Sequence, residues 1–200
     1  MKKVLFILGS AFLFCLIANE VKAQAQRSEF MKLKEVVFTT PDSSSTKRIV
    51  DLCVQSLKKK SPNFECSSFV KSSNFSHGSI YLESKKDYNA VLYLIPNDKD
   101  ISKEKILNFL KQQKSILLGP PGLFALFFMK SEDLAKDYLY ITLDEETSFF
   151  KDTTRYNKPY VVPSIKPYSD NGDYSIFADP FDYDLLASKN IIVVAFFYQK

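Results

Sequence analysis

The stretch Ile191–Tyr198 (IIVVAFFY) constrains this chain more than any other. It is continuously apolar and rich in β-branched and aromatic side chains, so it reads as a strand with no solvent-facing side. Its length falls far short of the roughly 20 residues that a membrane-spanning helix needs. A strand of this kind belongs in the middle of a sheet, and other elements must cover both of its faces. Ala90–Ile95 (AVLYLI) has the same character and makes a second covered strand.

Helices to cover such a sheet are visible elsewhere. Ser43–Thr46 offers several capping residues, and after it Ile49, Val50, Cys53, Val54 and Leu57 recur at three- and four-residue steps. That is one apolar stripe of an amphipathic helix, ended by Pro62. Ser102 caps a second helix reaching about Lys114, with Ile106, Leu107, Phe109 and Leu110 turned inward. Glu35–Thr40 reads as a strand stopped by Pro41, and Gly78–Glu83 and Tyr138–Leu143 as further strands. One irregular strand is expected within 63–77, and short helices at Ser131–Lys136 and near Tyr183–Ser188.

Gly119-Pro120-Pro121-Gly122 reads as a turn, and the apolar run Leu123–Met129 fits either a strand or a buried helical turn. From Asp144 to Tyr174 the periodicity dissolves. The expected fold is therefore α/β or α+β, a single domain with a mixed β-sheet of about five to six strands covered by about two to four helices. With 46% hydrophobic residues the chain has enough apolar content for a real core.

The N-terminus follows a different logic. Lys2 and Lys3 precede an uncharged apolar run, Val4–Ala18, and polar residues then lead to Ala23 and Ala25. This is the layout of a cleaved secretory signal peptide, with cleavage expected after Ala23 or Ala25. The run is too short for a permanent transmembrane anchor. Cys15 follows Phe14, where lipid attachment wants a small residue. The expected organisation is a signal peptide at 1–23, a flexible leader at 24–34 and a globular domain at 35–200. The expected location is the periplasm or the extracellular space.

Loss of 1–23 removes three lysines and one glutamate, so the formal charge of +4 falls to +2. A chain this near neutrality has no electrostatic footprint for a polyanion, and nucleic acid is not an expected partner. Lys58-Lys59-Lys60 complements a helix dipole. Cys53 and Cys66 remain, an even number in an exported chain, which allows one disulfide; equally, Cys53 lies on a helical stripe as a buried thiol. Asn74-Phe75-Ser76 is a glycosylation sequon if the host is eukaryotic.

Candidate chemistry is sparse. One histidine, His77, excludes multi-histidine metal centres. A dyad of Cys66 with His77 is conceivable, against a polar-turn role for His77. The GPPG segment lacks the lysine and hydroxyl residue that complete a phosphate loop. Asp144-Glu145-Glu146 reads as an exposed strand end. Asp170, Asp173 and Asp179 fall in a stretch without lysine or arginine, and Asp170-Asn171-Gly172-Asp173 resembles a fragment of a calcium loop, so Ca²⁺ is a candidate cofactor there. The alternative reading is a tight Asn-Gly turn with solvated carboxylates.

The most suggestive stretch is 155–183, where tyrosines alternate with prolines. Tyr156, Tyr160, Tyr168 and Tyr174 are candidate binding residues on a long loop, against the alternative that such a loop packs its own aromatics onto the domain as an anchor. The expected function is a non-catalytic binding or interaction protein of the cell envelope, taking a protein, peptide or glycan ligand. The rival expectation is an exported hydrolase that uses a carboxylate cluster, with or without Ca²⁺.

Overall fold

A computed structural model describes residues 30–75, 79–95, 101–144, 150–151, 160–180 and 190–199. The chain divides into two compact units, Met1–Met31 and Lys32–Lys200. Apart from Phe30 and Met31, the first unit, with the expected signal peptide and most of the expected leader, lies outside the described residues. So do His77, Tyr156 and the expected helix at 183–188.

The second unit is a single mixed α/β domain. Its strands are β1 (Met31–Thr39), β2 (Glu65–Cys66), β3 (Asp87–Ile95), β4 (Leu139–Ile141), β5 (Phe150–Lys151), β6 (Tyr160–Pro167), β7 (Tyr174–Pro180) and β8 (Ile191–Tyr198). The helices among the described residues are α1 (Ser43–Thr46), α2 (Ile49–Lys60), α3 (Lys103–Gln112) and α4 (Gly119–Lys130), with a 3-10 turn at Ser131–Asp133. The sheet order is β1-β3-β8-β4-β6-β7-β2, and β5 pairs with β6.

The uniformly apolar β8 does sit inside the sheet. It pairs antiparallel with β3 from Tyr88↔Tyr198 to Ile95↔Ile191, and parallel with β4. Ile192, Val194 and Phe196 join one core with Ile49, Val50, Cys53 and Leu57 of α2 and the apolar residues of α4. Ile191, Val193 and Ala195 alternate to the opposite face and are buried as well. On that face α3 is capped by Ser102, which accepts from the Lys105 N–H, and its Phe109 meets Tyr93 edge-on at 4.9 Å. Burial on both sides is why the strand shows no alternation. Truncating Leu57, fully buried in this core, to alanine would cost about 2–5 kcal/mol.

Three local expectations are corrected. The GPPG segment is not a free-standing turn but the first turn of α4, where the prolines' missing N–H groups would be unbonded in any case. The run after it is helical, and α4 is buried from Gly119 to Phe127 because it is apolar all round. Gly122 is required there: a Cβ would lie 2.6 Å from Leu118 Cβ and 3.0 Å from the Phe196 ring. Second, 79–83 is irregular backbone, not strand. Third, β1 begins at Met31, within the stretch whose polar composition suggests a leader.

The largest correction concerns the stretch expected to be a long loop at 155–183. Most of its described part is a hairpin, β6–β7, paired from Val161↔Pro180 to Pro167↔Tyr174 and flanked by β4 and β2. Prolines are rare inside sheets because they cannot donate to the ladder. Here the Tyr168 N–H donates to Asp173 O at 2.9 Å, which sets the even-numbered residues of β6 to bond β7. Pro163 and Pro167 therefore point their nitrogens toward β4, which pairs with β6 only at Tyr140↔Ile165. Pro180 points toward β2, which pairs with β7 only at Ser175 and Ile176. Each proline occupies a position where no amide is needed.

Candidate functional site

The site is built where β1 ends. Pro41 stops the strand, and the Asp42 carboxylate accepts from the Ser45 N–H at 2.9 Å and from Ser44 Oγ at 2.8 Å, capping the single turn of α1. Those two donors, the backbone N–H first, hold the Asp42 carboxyl below its ordinary range. Lys47 follows as the C-cap and is exposed.

Opposite α1 runs the irregular segment 79–84, held by groups distant in sequence. The Ser79 N–H donates to Asp144 Oδ2 at 2.7 Å, and Ser79 Oγ donates to Asp144 Oδ1. The Ile80 N–H donates to Leu117 O at 3.1 Å. Thr40 Oγ1 donates to Glu83 O at 2.6 Å and accepts from the Lys86 N–H at 2.9 Å. The Glu83 N–H donates to the Tyr88 hydroxyl at 3.1 Å. Lys85 takes the left-handed conformation, φ 53°, as the chain turns into β3.

Between these walls lies a pocket of about 350 Å³ lined by Ser43, Thr46, Lys47, Tyr81, Leu82, Ser84 and Pro121. Pro121, from the first turn of α4, is buried, and Leu82 is half-buried. Tyr81 is 75% exposed, an aromatic ring presented to solvent at the rim. Leu82 and Pro121 supply apolar surface, Ser43, Thr46 and Ser84 supply hydroxyls, and Lys47 supplies the only formal charge among the described lining residues. A mostly apolar concavity with a few polar groups is the usual form of a small-ligand site.

The residues singled out from sequence are distributed differently. Tyr160 opens β6. Tyr168 lies in the turn between β6 and β7, with Lys166 Nζ 4.8 Å from its ring centroid. Tyr174 is 2% exposed; its hydroxyl accepts from Lys136 Nζ at 3.0 Å, and its N–H donates to Ser61 Oγ at 3.0 Å. It is a core residue of the sheet.

Asp170 is exposed in that same turn, and Asp179 falls within β7. Asp173 is 3% exposed, and both its carboxylate oxygens are engaged: Oδ1 by Ser61 Oγ at 2.8 Å and the Asn63 N–H at 2.9 Å, Oδ2 by Asn63 Nδ2 at 2.8 Å. The Asn63 backbone N–H, above all, holds its carboxyl below the ordinary range. A carboxylate so occupied is a strap between β7 and the residues after α2, and does not fit a calcium ligand. No group of three or more His, Cys, Asp or Glu side chains among the described residues is arranged to hold a metal ion.

Cys53 and Cys66 are free thiols. Burial pushes the Cys53 thiol up steeply and the Cys66 thiol to about 11, so neither is a ready nucleophile. Asp144, expected at an exposed strand end, is fully buried and anchors Ser79. The sequon's Asn74 gives its side-chain N–H to Phe69 O at 2.9 Å. Lys60 reaches Ser131 Oγ at 3.0 Å and Glu132 at 2.9 Å, so the lysine run ties α2 to the end of α4.

Sequence reasoning misses the pocket because its residues come from three separate segments. Ser43 and Thr46 read there only as capping residues, and Tyr81 and Leu82 as part of a strand. No helix among the described residues is long and apolar enough to cross a membrane. Comparison of the chain with protein-family models, with curated proteins and with solved structures finds no match.

Proposed function

We propose that this chain is an exported, non-catalytic binding protein of the cell envelope, and that its ligand seat is the pocket between α1, segment 79–84 and Pro121. One observation carries this reading. The pocket combines an outward-facing tyrosine, an apolar floor and hydroxyl groups in one concavity, while Asp173 and Asp144 are taken up by internal hydrogen bonds and Cys53 is a buried thiol. Tyrosine gives large contact area at low entropic cost, and its ring suits the apolar face of a sugar or the side chain of a peptide. Export is supported by the basic, apolar and small-residue order of the first 25 residues.

Two experiments test the reading. Amide spectra of the mature chain, titrated with glycan and peptide pools, should shift at 43–47 and 79–86, and Tyr81→Ala should abolish those shifts. Ligand-induced shifts confined to 160–180 would return the site to the tyrosine- and proline-rich hairpin. For export, the chain expressed with its full N-terminus in a bacterium should yield a secreted product beginning at Gln24 or Gln26. Recovery only of cytoplasmic chain beginning at Met1 overturns that half of the proposal.

A further inference from the structure

We infer that the pocket is selective for a small amphipathic anion, an apolar chain or ring ending in a single carboxylate, with Lys47 as the counter-charge. This rests on the pocket being the ligand seat and adds the chemistry of what it takes. Among the described residues Lys47 is the only charged one in the lining, and it forms no ion pair there. The carboxylates adjacent in sequence are turned to other work. Asp42 caps α1 through Ser44 and Ser45, and Glu83 lies against the Tyr198 phenol, whose pKa is raised first by burial and then by that carboxylate. A cation with no internal partner at the wall of a concavity is complementary to an anionic ligand head.

The other lining groups narrow the class. Among the described residues the hydroxyls of Ser43 and Ser84 make no hydrogen bond, so they are open to donate to an anionic oxygen beside Lys47. Thr46 Oγ1 is committed to Asp42 O at 2.9 Å. One lysine and two hydroxyls match one carboxylate; a phosphate dianion is better served by arginine forks or more than one cation. Leu82 and Pro121 offer no N–H or O–H side-chain donor, and Pro121 lacks a backbone one, so that side of the pocket takes hydrocarbon. The volume, about 350 Å³, is at the small end for ligand sites and limits the body to a short chain or one ring.

The test compares three probes with one body and different heads: octanoate, 1-octanol and octylammonium, titrated into the mature chain and followed by amide shifts at Lys47, Tyr81 and Ser84. Octanoate should bind about tenfold more tightly than 1-octanol, ~1.4 kcal/mol, and octylammonium more weakly than either. Lys47→Ala should bring octanoate to the level of 1-octanol, Lys47→Arg should keep most of the preference, and added salt should weaken octanoate alone. Equal affinity for octanoate and 1-octanol, or indifference to Lys47→Ala, overturns the anion assignment and leaves the pocket as a neutral binding site. Absence of pocket shifts with all three probes, while a glycan or peptide still shifts Tyr81, also overturns it. Absence of pocket shifts with any probe, glycan or peptide overturns both this inference and the ligand seat itself.

Discussion

The β6–β7 hairpin and the segment 79–84 are held in place by opposite means. In the hairpin the backbone is tied by ladder bonds, with β4 and β2 continuing the sheet on either side. The side chains are then free to pack, and Val161, Ile165, Tyr174 and Ile176 disappear into the core. In 79–84 the backbone is pinned by the side chains of Thr40, Tyr88 and Asp144, joined by one bond to Leu117. Its own side chains Tyr81, Leu82 and Ser84 therefore line a concavity. Here the segment held by its backbone contributes core, and the segment held by others' side chains turns its own toward a concavity.

Four changes break or sharpen that contrast. Asp173→Ala should be the most damaging, because it strips the acceptor from Ser61 Oγ, the Asn63 N–H and Asn63 Nδ2 together in a buried position. Thermal unfolding should show the largest fall in Tm of the set, and a change no larger than that of a surface mutant would refute the strap. The same group sets a pH dependence. Its folded-state pKa lies below the unfolded value of about 3.8, so the stabilisation is present above pH 4 and is lost as the pH falls through the folded pKa. Acid unfolding of Asp173→Asn should lack that component.

Thr40→Val comes next. It keeps the shape and removes both the bond to Glu83 O and the acceptor for the Lys86 N–H, at a cost of about 1–3 kcal/mol. Each kcal/mol lowers Tm by about 2–4 °C in a chain of this size. Amide hydrogen exchange should accelerate at 83–86 and not across 161–167; equal acceleration in both would mean the two regions open as one unit.

Lys136→Met removes the hydrogen bond to the Tyr174 hydroxyl and the cation placed 4.8 Å from that ring, with an expected loss of about 0.5–1 kcal/mol in denaturant unfolding. A loss as large as that of Thr40→Val would show that the hairpin depends on side-chain pins beyond the Asp173 strap. Tyr81→Ala should change stability least, within about 0.5 kcal/mol, since the ring is 75% exposed. Under the proposed ligand seat its effect falls on binding instead. A Tm drop of several degrees would show that Tyr81 is a structural residue.

The elements whose pattern is local were legible before any coordinates. The stripe Ile49–Leu57, the Ser102 cap and the two-faced strands at 90–95 and 191–198 are all in place, because helical period, capping chemistry and burial of a strand on both faces are written within a dozen consecutive residues. The hairpin was not legible, because prolines argue against a strand unless one knows which neighbour each nitrogen faces. That depends on β4 and β2 being too short to reach Pro163, Pro167 and Pro180.

The sequence alone therefore determined that a mixed α/β domain forms around two-faced strands, since apolar runs must be buried wherever they sit. Only the tertiary structure decided which polar segments are sheet and which are surface. Those decisions rest on contacts between residues 43, 65 and 110 positions apart, such as Thr40 with Glu83, Ser79 with Asp144 and Asn63 with Asp173. No local pattern records them, because a hydrogen bond depends on which groups folding brings within about 3 Å of each other.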